Sequence, residues 1–237
     1  MDGKNEGQRP VGLMRGDSPL AALLVLDDPT PRGAALNMAL DQALLECSAS
    51  AVLRVYRWER PCVSIGYFEP IASARSRFPN REMVRRWTGG GTVSHGEDWT
   101  YSLIVPHADP FCRIRASDCY GIIHRALTEA LQTREEGFAL SLADAPVVSR
   151  HCFENAVRHD VLWRGQKAAG AAQRRSRFGL LHQGSVQLPR ALHPQSERLA
   201  ERLAGRVELG SLAEDVLEKG RSLAASRYEN PGWLNLR

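Results

Sequence analysis

The sequence predicts an α+β protein built on a mixed, mainly antiparallel β-sheet that is covered by helices. Strand-like segments are interrupted by two well-separated amphipathic helices, and tight turns join many of the strands. The chain has 237 residues, of which 43% are hydrophobic and 24% charged, which is ordinary for a globular protein. A chain of this length buries a substantial core without disulfide or metal support.

The individual elements follow from the spacing of the apolar residues. Residues 20–26 are almost uniformly apolar and predict a buried strand. Thr30 and Pro31 are typical of an N-cap and a first helical position, and the apolar spacing after them predicts a helix over 31–48. The other predicted strands are 52–58, 62–67, 82–86, 100–106, 160–163, 167–173 and 180–188, and the other predicted helices are 70–77, 117–134 and 194–228.

Composition excludes several classes of protein. Residues 1–18 are polar and predict a disordered tail, and the longest apolar run is too short to span a bilayer. The five cysteines are an odd number without a CxxC pair, which favours a reducing cytoplasm and disfavours a disulfide framework or a zinc ribbon. The net charge of +4 is not concentrated in a basic block, so it favours acidic protein partners over nucleic acid.

The segment from Arg85 to His95 contains three consecutive glycines, Gly89, Gly90 and Gly91. A glycine run inside a structured region is costly in chain entropy, and it is typical of backbone that passes close to a ligand. The alternative is a flexible turn, and on the glycines alone the two interpretations are equally good. The arginine pair before the run and His95 after it favour a binding loop.

Three further segments carry polar groups in unusual settings. Lys167 precedes a run of small residues that leaves room for a ligand, and a lysine there could neutralise negative charge on an acyl oxygen or a phosphate. Its alternative is a solvent-facing lysine on a strand. His182 opens a strand that is otherwise ordinary. Cys152 adjoins Phe153, which is more often a core position than a nucleophile, although Arg150, His151 and His159 could lower the pKa of its thiol.

Six segments together resemble one family. They occur in family order and cover most of the chain, and they are 37–41, 54–66, the Arg85-Arg86 pair with 88–95, 100–102, Lys167 with 170–173, and 181–185. The pattern resembles the lipoate–protein ligase and octanoyltransferase branch of the biotin/lipoate ligase superfamily. The resemblance implies that residues 19–237 form a single catalytic domain with a helical C-terminal segment.

Within that branch, three features resemble the cysteine-dependent octanoyltransferases and amidotransferases. ATP-dependent ligases commonly carry Asn-Phe-Ser after the glycine loop and Arg-Asn-Asp before the lysine hairpin, whereas this chain has 100–102 as Thr-Tyr-Ser and carries Cys152-Phe153. Many ligases also append a further domain, and about fifty residues follow Leu188 here. Gly96 replaces a ligase aspartate. Gly91 is the ligase-like exception, and the chain also departs from the family at Gln42 and Glu69.

The resemblance implies a thioester route. Cys152 would take an octanoyl or lipoyl group from acyl carrier protein or from a lipoyl-carrying protein, and a lysine of a lipoyl domain or of the glycine-cleavage H protein would accept it. Lys167 would stabilise the oxyanion without contributing to the core, and no metal or organic cofactor would be needed. The implied substrate-binding residues are Arg85, Arg86, Thr88, Gly89, Gly90, Gly91, Val93, His95, Gly170, Ala171, Gln173 and His182.

Two alternatives remain open at this point. An ATP- and Mg-dependent lipoate–protein ligase would use the same pocket for lipoyl-AMP, and a non-catalytic protein would merely bind an acyl chain. The presence of both Cys152 and Lys167 disfavours the second alternative. Trp58, Tyr67 and Val93 are candidate walls of an apolar acyl slot, with His95 and Arg85 at its mouth. Cys47 and Cys62 are expected to be core thiols, because each lies in an apolar element.

Overall fold

The computed structural model describes residues 18–144 and 156–236. Most of the strands form one eight-stranded sheet with the order β11-β1-β2-β6-β10-β9-β8-β7. Its strands are β1 (Leu20–Asp27), β2 (Val52–Tyr56), β6 (Trp99–Pro106), β7 (Phe138–Leu140), β8 (Val161–Trp163), β9 (Gln166–Ser176), β10 (Gly179–Val186) and β11 (Ala204–Leu209). The β1 strand runs parallel to both of its neighbours, and the remaining pairs are antiparallel.

A second, three-stranded sheet lies beside the first and has the order β4-β3-β5. Its strands are β3 (Cys62–Ile65), β4 (Glu82–Arg85) and β5 (Val93–His95). The helices are α1 (Ala34–Cys47), α2 (Ile71–Arg77), α3 (Ala116–Gln132), α4 (Ser196–Leu203), α5 (Glu214–Leu223) and α6 (Pro231–Leu234), with a π-helical turn at Ala224–Tyr228. The predicted α+β class, with a mixed sheet covered by helices, is confirmed.

The two faces of the large sheet are covered by different helices. Tyr101, Leu103 and Val105 of β6 belong to a core shared with α3 and α4, whereas Ile104 belongs to a core shared with α1 and α5. This division follows from the two-residue alternation of side chains along a strand. Every described residue of β10 is buried because helices lie on both sides of it.

Several boundaries differ from the prediction. The first helix begins at Ala34 with Gly33 as its N-cap, and not at Pro31. Arg32 instead pairs with the next strand region, donating from its N–H to the Arg57 carbonyl at 3.2 Å and accepting from the Glu59 N–H at 2.9 Å. This tertiary pairing keeps residues 31–33 extended and overrides the local N-cap signal.

The C-terminal segment also departs from the prediction of an entirely helical region. It contains β11, a parallel edge strand on β1, and this strand interrupts the helices. The short strands β5 and β7 were not predicted either, because three residues are too few to show a periodicity. Within the part of the chain that the structure describes, no helix is long and apolar enough to cross a membrane.

Candidate active site

The glycine loop is held by close backbone packing. A Cβ atom on Gly66 would overlap the carbonyl oxygen of Gly90, and Gly90 itself has a φ of +81°. The Tyr67 N–H donates to the Thr88 carbonyl at 2.8 Å, which fixes the start of the loop. Gly66 and Gly90 are therefore required by a tight passage of two backbone segments, whereas a Cβ atom on Gly89 would meet nothing within 4 Å.

The two arginines before the loop are structural supports. Arg86 Nη2 donates to the carbonyls of Gly89 at 2.9 Å and of Gly91 at 2.6 Å, so it shapes the loop from inside. Arg85 is fully buried and donates to the carbonyls of Glu69 at 2.8 Å and Leu234 at 2.9 Å, among others. The guanidinium group of Arg85 is directed at backbone carbonyls, and its place at the mouth of an acyl pocket stays a prediction.

His95 is clamped in a buried polar network. Its Nε2 forms a hydrogen bond with Ser64 Oγ at 2.8 Å, and its Nδ1 forms one with Asp98 Oδ2 at 2.8 Å. The ring stacks on Trp58 with a centroid separation of 4.2 Å. Burial would raise the pKa of the Asp98 carboxyl, but the charge and hydrogen bond of His95 and the hydroxyl of Ser185 outweigh it and hold that pKa well below its usual range.

The arrangement Ser64–His95–Asp98 has the spacing of a hydrolase triad. Ser64 is nonetheless buried, and its Oγ accepts a hydrogen bond from Arg86 Nη1 at 2.9 Å. A hydroxyl in this position is a poor nucleophile, because it is screened from solvent and already bonded to a cation. The network therefore positions the loop and β5, in which Val93 is half-buried.

The lysine hairpin carries a buried ion pair that is held by a further hydrogen bond. Its turn at Arg164 and Gly165 adopts positive φ angles of +51° and +81°. Lys167 Nζ lies 2.7 Å from Asp160 Oδ2, and both side chains are almost completely buried. The Tyr120 hydroxyl donates to Asp160 Oδ1 at 2.5 Å, so the carboxylate that holds the lysine is itself held.

Asp160 and Tyr120 were not among the predicted site residues. Tyr120 OH also accepts from the Ala171 N–H at 3.0 Å and so ties α3 to β9. Asp160 could have been predicted from the hairpin, because it directly precedes β8 and β8 pairs with the strand that carries Lys167. Tyr120 gave no signal, because only the tertiary fold brings α3 beneath the hairpin.

The lysine side chain packs over Gly170, where a larger residue would collide with it. A Cβ added to Gly170 would lie 2.7 Å from Lys167 Cε and 3.0 Å from its Nζ. Gly170 pairs with Ser185 and Ala172 pairs with Gln183, so these four residues share one face of the sheet. Lys167 therefore lies against backbone at the glycine-loop face of β9.

The opposite face of the β9–β10 pair carries three of the predicted substrate-binding residues. His182 is fully buried, and its Nδ1 accepts a hydrogen bond from Gln173 Nε2 at 3.1 Å. Its Nε2 lies 3.1 Å from the Tyr101 hydroxyl. Register places Ala171 on that same face. The face that these three residues share is directed toward α3 and away from the glycine loop, and their role in substrate binding stays a prediction.

A polar chain connects the loop to the sheet and to α1. Thr88 Oγ1 donates to Gln183 Oε1 at 2.8 Å, and Gln183 Nε2 donates to Asp41 Oδ2 at 2.7 Å. Asp41 is fully buried and also bonds Arg54 at 2.8 Å. This chain fixes Thr88 above Gln183 and so sets the height of the loop over the sheet.

The cysteines fall into distinct settings. Cys152 lies outside the described residues, as do Arg150 and His151. Cys62 is buried as expected, whereas Cys47 is exposed, so the expectation of a core thiol is wrong there. In residues 18–144 and 156–236, no group of three His, Cys, Asp or Glu side chains could hold a metal ion.

Fold and site together define a domain that presents a buried lysine on the sheet face that a glycine loop contacts. The family model of the lipoyl protein ligase A/B catalytic domain matches residues 33–202. The chain therefore belongs to the lipoyl protein ligase A/B catalytic domain family.

Curated relatives carry a narrower description. An octanoyltransferase LipM from Oceanobacillus iheyensis is 33% identical over 170 residues, a match that covers 67% of this chain and 62% of that protein. An octanoyltransferase LipM from Kyrpidia tusciae is 32% identical over 224 residues, covering 83% of this chain and 79% of the relative. The matched region thus spans less than two thirds of the first of these relatives.

Solved structures share the fold. A Thermoplasma acidophilum protein assigned as a lipoate protein ligase, with bound lipoic acid, superimposes with a TM-score of 0.69 at 18% identity, over 92% of this chain and 100% of that one. A lipoate-protein ligase A bound with ATP gives a TM-score of 0.67 at 18% identity with the same coverage. At this level of identity the likeness establishes the fold.

Proposed function

We propose that this protein is an acyltransferase of protein lipoylation that moves an octanoyl group onto a protein lysine. The observation that carries the proposal is the buried Lys167–Asp160 pair, which lies against Gly170 on the sheet face that Thr88 of the glycine loop contacts through Gln183. A fixed cation beside small residues suits a reaction in which negative charge develops on a carbonyl oxygen. The similarity to octanoyltransferases LipM supports the choice of acyl group.

The proposed first step forms an acyl-enzyme. The Cys152 thiolate attacks the carbonyl carbon of an octanoyl thioester on acyl carrier protein, and the carbon–sulfur bond to the carrier breaks. The carrier leaves as a thiolate that takes a proton from solvent. Lys167 stabilises the oxyanion that forms on the carbonyl oxygen between these two events.

In the second step a neutral acceptor lysine attacks the Cys152 thioester. A carbon–nitrogen bond forms, the bond to the Cys152 sulfur breaks, and the nitrogen loses its extra proton to solvent. The proposed acceptors are a lipoyl domain or the glycine-cleavage H protein, both in the cytoplasm. The structural neighbour from T. acidophilum is described as a bi-partite ligase with its E2 lipoyl domain, which supports acceptors of this class. No metal or organic cofactor takes part.

The described cysteines support Cys152 as the acyl carrier. Burial raises the pKa of Cys119 to about 11 and that of Cys62 still further, so both are protonated at neutral pH. Burial also raises the pKa of the Cys112 thiol, whose Sγ lies within hydrogen-bond distance of two backbone carbonyls. Cys47 is exposed at the end of α1 and serves as a matched control.

The test is transfer without ATP. The purified chain is incubated with octanoyl-acyl carrier protein and an apo lipoyl domain, and the acceptor is weighed by mass spectrometry. We expect octanoylation of the acceptor, together with a hydroxylamine-labile octanoyl adduct on the peptide that contains Cys152. Cys152→Ser should abolish transfer and Cys47→Ser should retain it.

The alternatives give different results in the same experiment. Lipoate- and ATP-dependent release of pyrophosphate, with full activity in Cys152→Ser, would replace the transferase with the ligase. Tight binding of octanoate without transfer or adenylation would leave an acyl-binding protein.

A further inference from the structure

The glycine loop runs alongside β10, on the sheet face that also carries Gly170 and Ala172 of β9. Three contacts define its course: the Trp87 carbonyl accepts from Arg174 at 3.4 Å, Thr88 bonds Gln183, and the Ser94 carbonyl accepts from Gln187 at 3.0 Å. The loop therefore advances in the direction of β10, which is opposite to that of its neighbour β9. On the same sheet face, β9 presents Gly170, Ala172 and Arg174 in turn.

We call the strip of this face from Gly170 to Ala172, beside Thr88 of the glycine loop, the acyl lane. Lys167 lies at its Gly170 end. Ala172 is only half-buried, so its small side chain leaves room above the strand. From Gly170 to Arg174 the strand rises about 13 Å, at roughly 3.3 Å per residue.

A stack of rings and guanidinium groups closes the far end of the lane. The Arg174 guanidinium lies 4.4 Å from the centroid of the Trp87 ring and 5.3 Å from that of Tyr67. Its Nε atom is buried without a hydrogen-bond partner among the described residues. The guanidinium thus lies within cation–π distance of two aromatic rings, which favours a fixed position.

The C-terminal segment backs this stack. Arg227 lies 5.4 Å from the Trp87 ring and 4.9 Å from the Trp233 ring, and its Nη1 donates to Gln42 at 2.9 Å. Trp233 in turn packs on Tyr67 at 5.6 Å. Arg227 and Trp233 follow the family-matched residues 33–202, and Gln42 is one of the departures from the family pattern.

We propose that the Arg174–Trp87–Arg227–Trp233 stack sets the length of the acyl chain that the enzyme accepts. This inference rests on the proposed function, because it places the reacting carbonyl beside Lys167. An extended octanoyl chain spans about 10 Å and a dodecanoyl chain about 15 Å, at roughly 1.25 Å per carbon. The first fits the lane, whereas the second has to displace Arg174 from its two rings.

The test compares chain lengths in wild type and in two variants. Arg174→Ala opens the end of the lane directly, and Arg227→Met removes its backing without touching the lane. Arg177→Ala is the matched control, because Arg177 is an exposed neighbour that stacks only on Phe178 among the described rings. Transfer rates from octanoyl- and dodecanoyl-carrier protein are measured, together with the affinities for octanoate and dodecanoate by calorimetry.

We expect the preference for the eight-carbon chain to fall about tenfold in Arg174→Ala and less in Arg227→Met, in line with the loss of a desolvated cation–π contact. Arg177→Ala should keep the wild-type ratio. If wild type transfers octanoyl groups and both stack variants keep its ratio, the proposal is overturned. If no transfer occurs but Arg174→Ala erases a selectivity between the two free acids, the length limit stands and the transferase function fails.

Discussion

The two sides of the site are built in different ways. The glycine-loop side is fixed by many bonds to backbone, as in Arg86 with the carbonyls of Gly89 and Gly91. The lysine side contains the buried ion pair between Lys167 and Asp160, whose carboxylate also accepts from the Tyr120 hydroxyl. Anchoring through backbone suits a scaffold that shapes a pocket, whereas a buried charge pair suits the group that meets the reacting atoms. Substitutions on the two sides should therefore differ in kind.

The largest expected effect is that of Lys167→Met. On the proposed mechanism, loss of the oxyanion partner should lower the rate of octanoyl transfer by about a hundredfold or more. The same change leaves the buried Asp160 carboxylate uncompensated, which should cost several kcal/mol of folding stability. The expectation that Lys167 makes no contribution to the core is thus corrected, because its side chain is only 7% exposed. Single-turnover kinetics and thermal unfolding measure the two effects.

A double variant separates the two roles of this lysine. Lys167→Met with Asp160→Asn removes both charges, so it should regain most of the melting temperature while transfer stays at the level of the single variant. Recovery of activity together with stability would mean that Lys167 acts only as a structural partner of Asp160.

The second largest expected effect is a loss of folding stability at acid pH, caused by the buried histidines near the lysine hairpin. Burial lowers the pKa of His124 from about 6.5 to about 4, and it lowers that of His182 well below its usual range. The folded state therefore binds fewer protons than the unfolded chain, and stability is complete above pH 6.5 and falls as the pH drops toward 4. For His124 the loss should be on the order of 3 kcal/mol. Both rings contact each other behind β9, at a centroid separation of 5.5 Å.

Denaturant unfolding between pH 7.5 and 4 measures this loss. His124 Nδ1 lies 2.8 Å from the His159 carbonyl oxygen, and His124→Asn retains a donor for this carbonyl. The variant should reduce the pH dependence of the unfolding free energy to the part that His182 contributes. A variant with the full wild-type slope would remove His124 from the account.

The same contrast explains what the sequence could reveal. The loop side was predictable because glycines, an arginine pair and a histidine adjoin one another in the chain. On the lysine side, Asp160 and Tyr120 are separated by forty residues in sequence, and only packing of α3 under β9 makes them neighbours. The orientation of His182 was not predictable for a related reason, since a motif does not tell which face of a strand a side chain occupies. The stack around Trp87 was also invisible, because half of it comes from the C-terminal segment.

A third expected effect is that of Asp160→Asn, a smaller change than loss of the lysine itself. An amide keeps a polar partner for Lys167 Nζ and for the Tyr120 hydroxyl but no longer orients the ammonium by charge, so kcat should fall about tenfold with little change in KM. Steady-state kinetics with octanoyl-carrier protein provide the measurement. Asp160→Glu should recover part of the rate, and an unaltered kcat in the asparagine variant would contradict a positioning role.

The smallest expected effect lies on the loop side, at Thr88. Thr88→Val removes the hydroxyl that donates a hydrogen bond to Gln183 Oε1 at 2.8 Å. Loss of one such bond costs a net stability of about 1 kcal/mol. Because Arg86 and the Gly66 packing still hold the loop, transfer should slow only a fewfold. Thr92→Val, four residues along in the chain, is the matched control, since the Thr92 hydroxyl is buried without a partner among the described residues. That variant should be neutral or slightly stabilising. Equal losses of rate in the two variants would mean that the Thr88–Gln183–Asp41 chain does not support the loop, and that its position depends on backbone packing alone.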